Sequence, residues 1–264
     1  MKNVILYRAH NISQEILGEV ARLKAELDGF DIVILGYSEK SFTEGENNDI
    51  IMYNKSDVCA LPYPVKLADA PWPSTTGHND LPVLKFFLEN YQYDYYWLIE
   101  YDVRYTGNWA ILFDDLMSSS ADLLATSIID AAESPDWYWW RSLKRPNELK
   151  TTPQMVRAFL PFCRISNALL RELDQQYRAG WSGHYELVWP TIARLFGYSF
   201  EDIGGNGAYT PKQRMGKHYM SNPANPNLFP GTFLFRPSFV ARDIEQWGKT
   251  VVGGAAMLWH PAKD

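Results

Sequence analysis

An apolar run, Tyr96-Trp97-Leu98-Ile99, ends in Glu100-Tyr101-Asp102 and passes into Val103-Arg104. Alternation along a strand sends Glu100 and Asp102 to one side and Tyr101 to the other, so two carboxylates converge on one point. Like charges at that range repel, and a carboxylate taken out of water without a partner is strongly disfavoured. The pair therefore calls for a cation, a shared proton or basic neighbours. A hard divalent metal suits two oxygen ligands. The alternative is a strand end whose acids are solvated or ion-paired, with Arg104 the nearest partner for Asp102.

The elements that must position these acids can be read from periodicity. Val4 to Tyr7 is a buried strand, Ser13 to Leu27 a helix with Ser13 as N-cap, and Asp31 to Gly36 a second buried strand. Continuous apolar strands around a helix imply parallel pairing and a right-handed crossover, which predicts an α/β chain with a mostly parallel central sheet flanked by helices. Ligands of such sheets collect at the carboxyl ends of the strands, which puts Arg8, Ala9, His10 and the loop after Leu35 at the mouth of a pocket. Tyr37 to Gly77 is broken by Pro62, Pro64, Pro71 and Pro73 and carries a polar run from Gly45 to Asp49, so it reads as loops with one short strand. Asp80 caps a helix through Tyr91 that leads into the acidic strand. Further on come a helix from Asn108 to Met117, a strand from Ala121 to Ile129, and an irregular insertion from Asp130 to Pro153. A strand from Phe159 to Ile165 and a helix from Ser166 to Tyr177 follow. A segment from His184 then enters a helix through Leu195, and Tyr198 to Ile203 is a strand. Asn222 to Pro230 is a loop and Thr232 to Phe235 a short strand.

Composition narrows the class. With 264 residues, 46% hydrophobic and 21% charged, the chain suits a single folded domain and neither a disordered nor a membrane-spanning one. A net charge of −6 offers no basic field for a nucleic-acid polymer. Cys59 and Cys163 lack the spacing of a zinc site or a disulfide scaffold and read as free thiols, and the opening strand is too short for a signal-peptide core, so a cytoplasmic location is expected. Ten Trp and sixteen Tyr are more than a core this size needs. Trp137 to Trp140 and Trp181 offer flat faces for sugar rings or bases, or else pack on the core or on a partner.

The order of these parts, a βαβ opening, a buried strand ending Glu-x-Asp, and a polar-tipped helix later on, resembles the GT-A (Rossmann-type) fold of glycosyltransferases. The block Tyr93 to Arg104 and the terminal His260-Pro261-Ala262-Lys263 look most like capsule- and surface-polysaccharide-type members of that group. The resemblance implies that Glu100 and Asp102 hold a divalent cation, Mn²⁺ or Mg²⁺, against the diphosphate of a nucleotide-sugar donor, with His260 as third ligand. Glu in the first position departs from the usual aspartate and leaves Asp102 as the firmer ligand. Otherwise His260 is an exposed residue in a fraying tail.

The resemblance also implies roles for other residues. Glu186, near a helix start after Gly180-Trp181-Ser182-Gly183, is placed like the base of inverting enzymes, with His184 as substitute. The helix N-terminus favours the ionised carboxylate while burial opposes it. Otherwise Glu186 is a capping residue and His184 a structural histidine. Donor binding falls to Tyr7, Arg8, His10, Asp57, His78 and Arg104, with the arginines facing phosphates. Arg104 alternatively neutralises Asp102, and His78 caps or packs. Residues 1–130 form the donor half of one domain and 131–264 the acceptor half. The expected activity is sugar transfer to a glycan or glycolipid acceptor, which leaves peripheral membrane association open. The rival class is a carbohydrate- or nucleotide-sugar-binding protein without turnover. A metal-dependent phosphohydrolase would need more Asp and His ligands than the chain offers.

Overall fold

Strand β1 (Asn3–Arg8) is buried on both faces because Val4 and Leu6 point to one side of the sheet while Ile5 and Tyr7 point to the other. The computed structural model describes residues 1–38, 49–69, 77–146, 154–220, 231–250 and 256–263, with the side chains of 247–250 excepted. The expected loop from Asn222 to Pro230, the polar run Gly45 to Asn48, Pro71, Pro73, Thr76 and the end of the insertion at Pro153 lie outside the described residues.

Helix α1 (Gln14–Glu26) follows, capped as expected by Ser13, whose hydroxyl accepts the Ile16 amide at 3.2 Å. β2 (Phe30–Tyr37) then pairs parallel with β1. β3 (Ile50–Tyr53) extends the same edge as the one short strand expected there, and two short helices accompany it, α2 (Lys55–Cys59) and α3 (Pro64–Asp69). The helix expected from Asp80 is α4 (Leu81–Glu89), but Asp80 makes no capping bond because its carboxylate is turned inward to Lys66 and Tyr177. β4 (Tyr95–Glu100) pairs with β1 on the side away from β2, so the strand order reverses between β1 and β4.

The chain continues through β5 (Arg104–Tyr105), α5 (Trp109–Met117), β6 (Leu123–Asp130) and a 3₁₀ turn at Tyr138–Ser142. β7 (Val156–Ser166) leads to α6 (Asn167–Arg178), α7 (Tyr185–Leu195) and β8 (Phe200–Asp202). Near the end come β9 (Phe239–Val240), α8 (Ala241–Thr250), β10 (Leu258–Trp259) and β11 (Ala262–Lys263). The strand expected at Thr232 to Phe235 is reduced to bridges from Thr232 to Met220 and from Phe233 to His260.

Among the described residues the central sheet has seven strands in the order β3-β2-β1-β4-β7-β6-β8, parallel except where β7 runs against β4 and β6. This is the expected α/β architecture, a mostly parallel sheet with helices on both faces. One face packs on α4, α6 and α7 through Tyr96, Leu98, Phe87 and Trp189, and the other on α1 and α5 through Trp97, Trp109 and Phe162. Each such fully buried side chain contributes about 1.5–3 kcal/mol through removal of apolar surface from water. Because β7 is reversed, its first residues run beside the carboxyl end of β4, and Phe159 and Pro161 enter the site.

Candidate active site

At the carboxyl edge of the sheet a cleft of about 620 Å³ adjoins a smaller hollow of about 110 Å³. Both border Glu100, Tyr101 and Asn79. This is the crevice where the strand order reverses, the usual binding place of open α/β sheets.

Glu100 and Asp102 do converge, but not by strand alternation. β4 stops at Glu100, and Tyr101 and Asp102 form a turn closed by the Val103 amide donating to the Glu100 carbonyl at 2.9 Å. The tail completes the group. β10 pairs antiparallel with β5, and the Ala262 amide donates to the Asp102 carbonyl at 2.8 Å. The His260 amide donates to Thr232 at 3.0 Å, and its ring lies against Phe159 and Phe233. His260 is therefore buried and fixed rather than part of a fraying tail. One ligand atom from each of Glu100, Asp102 and His260 lies within 4.8 Å of the others.

The donor chemistry of this group fits a divalent cation. His260 Nδ1 is 2.8 Å from the Leu234 carbonyl oxygen, which can only accept, so Nδ1 carries the hydrogen. In the neutral ring Nε2 then presents a lone pair to Asp102 Oδ1 at 3.3 Å. That oxygen is buried and makes no hydrogen bond. Two acceptors at this range need a proton or a cation between them, and a histidine oriented through its other nitrogen is how metal sites fix the ligand. Two carboxylates with one imidazole suit Mn²⁺ or Mg²⁺. Burial alone would raise the Asp102 carboxyl, but with a proton rather than a cation between them a donating His260 ring, together with the Lys263 ammonium 3.6 Å away, outweighs it and holds the group below its ordinary range. Arg8 Nη1 sits 3.2 Å from Glu100 Oε1.

Across the cleft, α7 begins at Tyr185, whose amide donates to the Gly77 carbonyl at 2.8 Å, while the His184 amide donates to Ser142 Oγ at 3.0 Å. Glu186 lies in the first turn, with Oε1 accepting the Leu160 amide at 3.4 Å and Oε2 3.8 Å from His184 Nδ1. Burial pushes the Glu186 carboxyl up to about 8. Glu100 adds to the rise, while the Leu160 amide and Arg157 oppose it. His184 goes the other way, lowered to about 3 by burial first and by Lys66 next, so its ring is neutral and a weak base. It stacks on Tyr185 at 5.6 Å and meets Trp137 and Trp139 at 5.6 and 4.8 Å.

The remaining expected site residues divide. Arg8 and His10 line the hollow, with His10 edge-on to Tyr101 at 4.6 Å. Tyr7 belongs to the core, its hydroxyl donating to the Tyr101 carbonyl at 3.4 Å. Arg104 does not pair with Asp102. It binds Glu15 and donates to the carbonyls of Tyr101 and Val103, which commits its guanidinium to the fold. Asp57 serves a capping box with Asn54, accepting that residue's amide at 2.8 Å. His78 is buried and lowered to about 4, by burial first and then by Lys66. Trp181 is fully buried, so it is core rather than an acceptor platform, whereas Trp137 and Trp139 remain partly exposed beside His184.

Several groups around the site escaped sequence reasoning. Lys263 was visible only as the last residue of His-Pro-x-Lys, and Arg236, which lines the cleft, carries no local signal. Lys66 and Asp80 form a fully buried ion pair at 3.0 Å, with Lys66 also donating to the Gly183 carbonyl at 2.8 Å and Tyr177 donating to Asp80 at 2.5 Å. Nothing in their local spacing announces a long-range pair.

Known proteins resemble this chain only in part or distantly. The model of a family described as "Protein of unknown function (DUF3405)" matches residues 44–120, a stretch that includes Glu100 and Asp102 but neither Glu186 nor His260. No curated protein sequence matches the chain. Among solved structures, A197 from STIV is 11% identical, covers 70% of this chain and 83% of its own, and superposes with a TM-score of 0.31. Mouse xyloside xylosyltransferase 1 in its apo form is 10% identical, covers 78% of this chain and 86% of its own, and gives 0.38. At these TM-scores neither likeness bears on activity.

Proposed function

We propose that the protein is a divalent-metal-dependent glycosyltransferase of GT-A type that moves a sugar from a nucleotide-sugar donor to a hydroxyl of a glycan or glycolipid, with inversion. One observation carries this reading. A carboxylate-histidine group fit for a cation and a largely buried carboxyl with a raised pKa face one cleft at the reversal point of a mostly parallel sheet.

Glu100, Asp102 and His260 would hold the cation, Mn²⁺ or Mg²⁺, which when bound would neutralise charge developing on the leaving diphosphate. The protein's own groups do the rest. Arg8, Lys263 and Arg236 line the cleft or its adjoining hollow and supply positive charge for phosphate oxygens. His10 and Tyr101 border the hollow that would receive the nucleoside. Glu186, as carboxylate, takes the proton of the attacking acceptor hydroxyl while that oxygen bonds to the anomeric carbon and the bond to the diphosphate breaks. A base with a pKa near 8 accepts that proton more readily than an ordinary glutamate. Neutral His184, held between Tyr185 and the Trp137 and Trp139 rings, keeps the wall beside Glu186 apolar, which favours the raised value and discourages water. In this division residues 1–130 supply the donor side and 131–264 the base, the aromatic shelf and the tail. No helix among the described residues is long and apolar enough to cross a membrane.

The test is release of nucleoside diphosphate from a panel of nucleotide sugars, with and without Mn²⁺. Metal-stimulated release that falls by about 100-fold or more in a folded Asp102→Asn variant is expected. Saccharide or nucleotide-sugar binding without release in any condition would instead mark a binding protein.

A further inference from the structure

The two acids of the candidate cation site are each already engaged by a basic side chain from a different part of the chain. Arg8, the last residue of β1, reaches Glu100 at 3.2 Å, with side chains only 11% and 19% exposed. Lys263, in β11, reaches Asp102 at 3.6 Å, with Asp102 only 7% exposed. A cation held by the same carboxylates competes with both bases, because each carboxylate's charge is then shared and the bases face a new positive neighbour. Asp102 Oδ1, buried and without a hydrogen bond, and His260 Nε2 supply the contacts that neither base uses.

We propose that Arg8 and Lys263 are exchange groups: each holds a metal-binding carboxylate until a cation takes it, and each then turns to the oxygens of a diphosphate. This rests on the reading above and adds the coupling between its two ligands. Arg8 lines the hollow, Glu100 borders both hollow and cleft, and Lys263 lines the cleft on the tail side, so the two bases reach the carboxylate group from the two adjoining spaces. Displaced alone, both bases would be left beside a like charge, which makes cation binding by itself weak. A diphosphate relieves both at once, so each ligand strengthens the other by the same factor, as linkage requires.

The consequence has opposite signs for the two ligands and does not require turnover. Removing either base should tighten the cation alone and loosen the anion. Mn²⁺ binding is read by loss of the free-ion electron paramagnetic resonance signal, and inorganic pyrophosphate binding by calorimetry at saturating Mn²⁺. In Arg8→Gln and in Lys263→Met, Mn²⁺ alone should bind about fivefold more tightly, the size expected when one competing ion pair is lost. Pyrophosphate should bind about tenfold more weakly. Circular dichroism and the melting temperature confirm that each variant is folded, and Arg8→Lys, which keeps the charge, should restore most of the pyrophosphate affinity. If the parent protein binds Mn²⁺ but both variants bind it equally or less well, the exchange is refuted while the metal site stands. If neither the parent nor either variant binds Mn²⁺, the metal site and the exchange fall together.

Discussion

Glu186→Gln isolates the most perturbed carboxyl of the cleft. The side chain keeps nearly the same shape, and its amide resembles the protonated acid, so the substitution removes titration and little else. In the folded protein the Glu186 carboxyl is pushed from the ordinary 4.5 up to about 8, by burial first and by Glu100 among the charges. The folded chain therefore holds this proton more tightly than the unfolded chain. The resulting stability is complete below about pH 4.5 and is lost progressively as the pH rises to about 8. At about 1.4 kcal/mol per pH unit the loss is at most about 5 kcal/mol, or up to about 10 °C in melting temperature for a chain of this size. Urea unfolding of parent and variant between pH 5 and 9 measures it. The variant should gain on the parent by several kcal/mol across that range, with the gap levelling above about pH 8. Parallel profiles would mean that Glu186 is an ordinary exposed acid, and the argument for a tuned base would end. The same titration should appear in metal-stimulated nucleotide release as a limb rising with pH and absent in the variant. Its midpoint should fall when the cation is bound, because the charge on Glu100 is then neutralised.

Two further outcomes test the scaffold under the site. Gly77 has φ +86° and an added Cβ would stand 2.3 Å from the His184 ring, so Gly77→Ala should cost about 1–3 kcal/mol in urea unfolding and displace His184; a neutral result would mean that the close approach is not real. Lys66→Met strands Asp80 as a buried charge and should cost about 3–5 kcal/mol, much of it recovered when Asp80→Asn is added. If the double variant is as unstable as the single, the ion pair is not the cause.

What could be read from the sequence followed the range of the interaction. β1, α1, β2 and β4 were legible because burial on a sheet or a helix face repeats at a fixed period, and Ser13 announces its helix through a local cap. The acids were found for a partly mistaken reason. Alternation put Glu100 and Asp102 on one strand face, whereas a turn and the docked tail bring them together. Arg104 and Asp57 show the limit from the other side. Both types suit a phosphate or ribose site, yet Glu15, far away in the chain, claims Arg104, and the neighbouring Asn54 claims Asp57. Trp181 looked like a platform because composition does not tell a buried aromatic from an exposed one. The pairs Arg8 with Glu100, Lys263 with Asp102 and Lys66 with Asp80 join segments distant in the chain, and no local pattern encodes them.

The seating of the tail has a consequence for how occupancy could be followed. Leu258, His260 and Ala262 donate their amides to the carbonyls of His218, Thr232 and Asp102, so three separate parts of the molecule are laced together by one short segment. A guest gripped by both the turn and the tail fastens that lacing from within. Slower solvent exchange at these three amides would then work as a gauge of how full the cleft is, readable without any knowledge of the sugar.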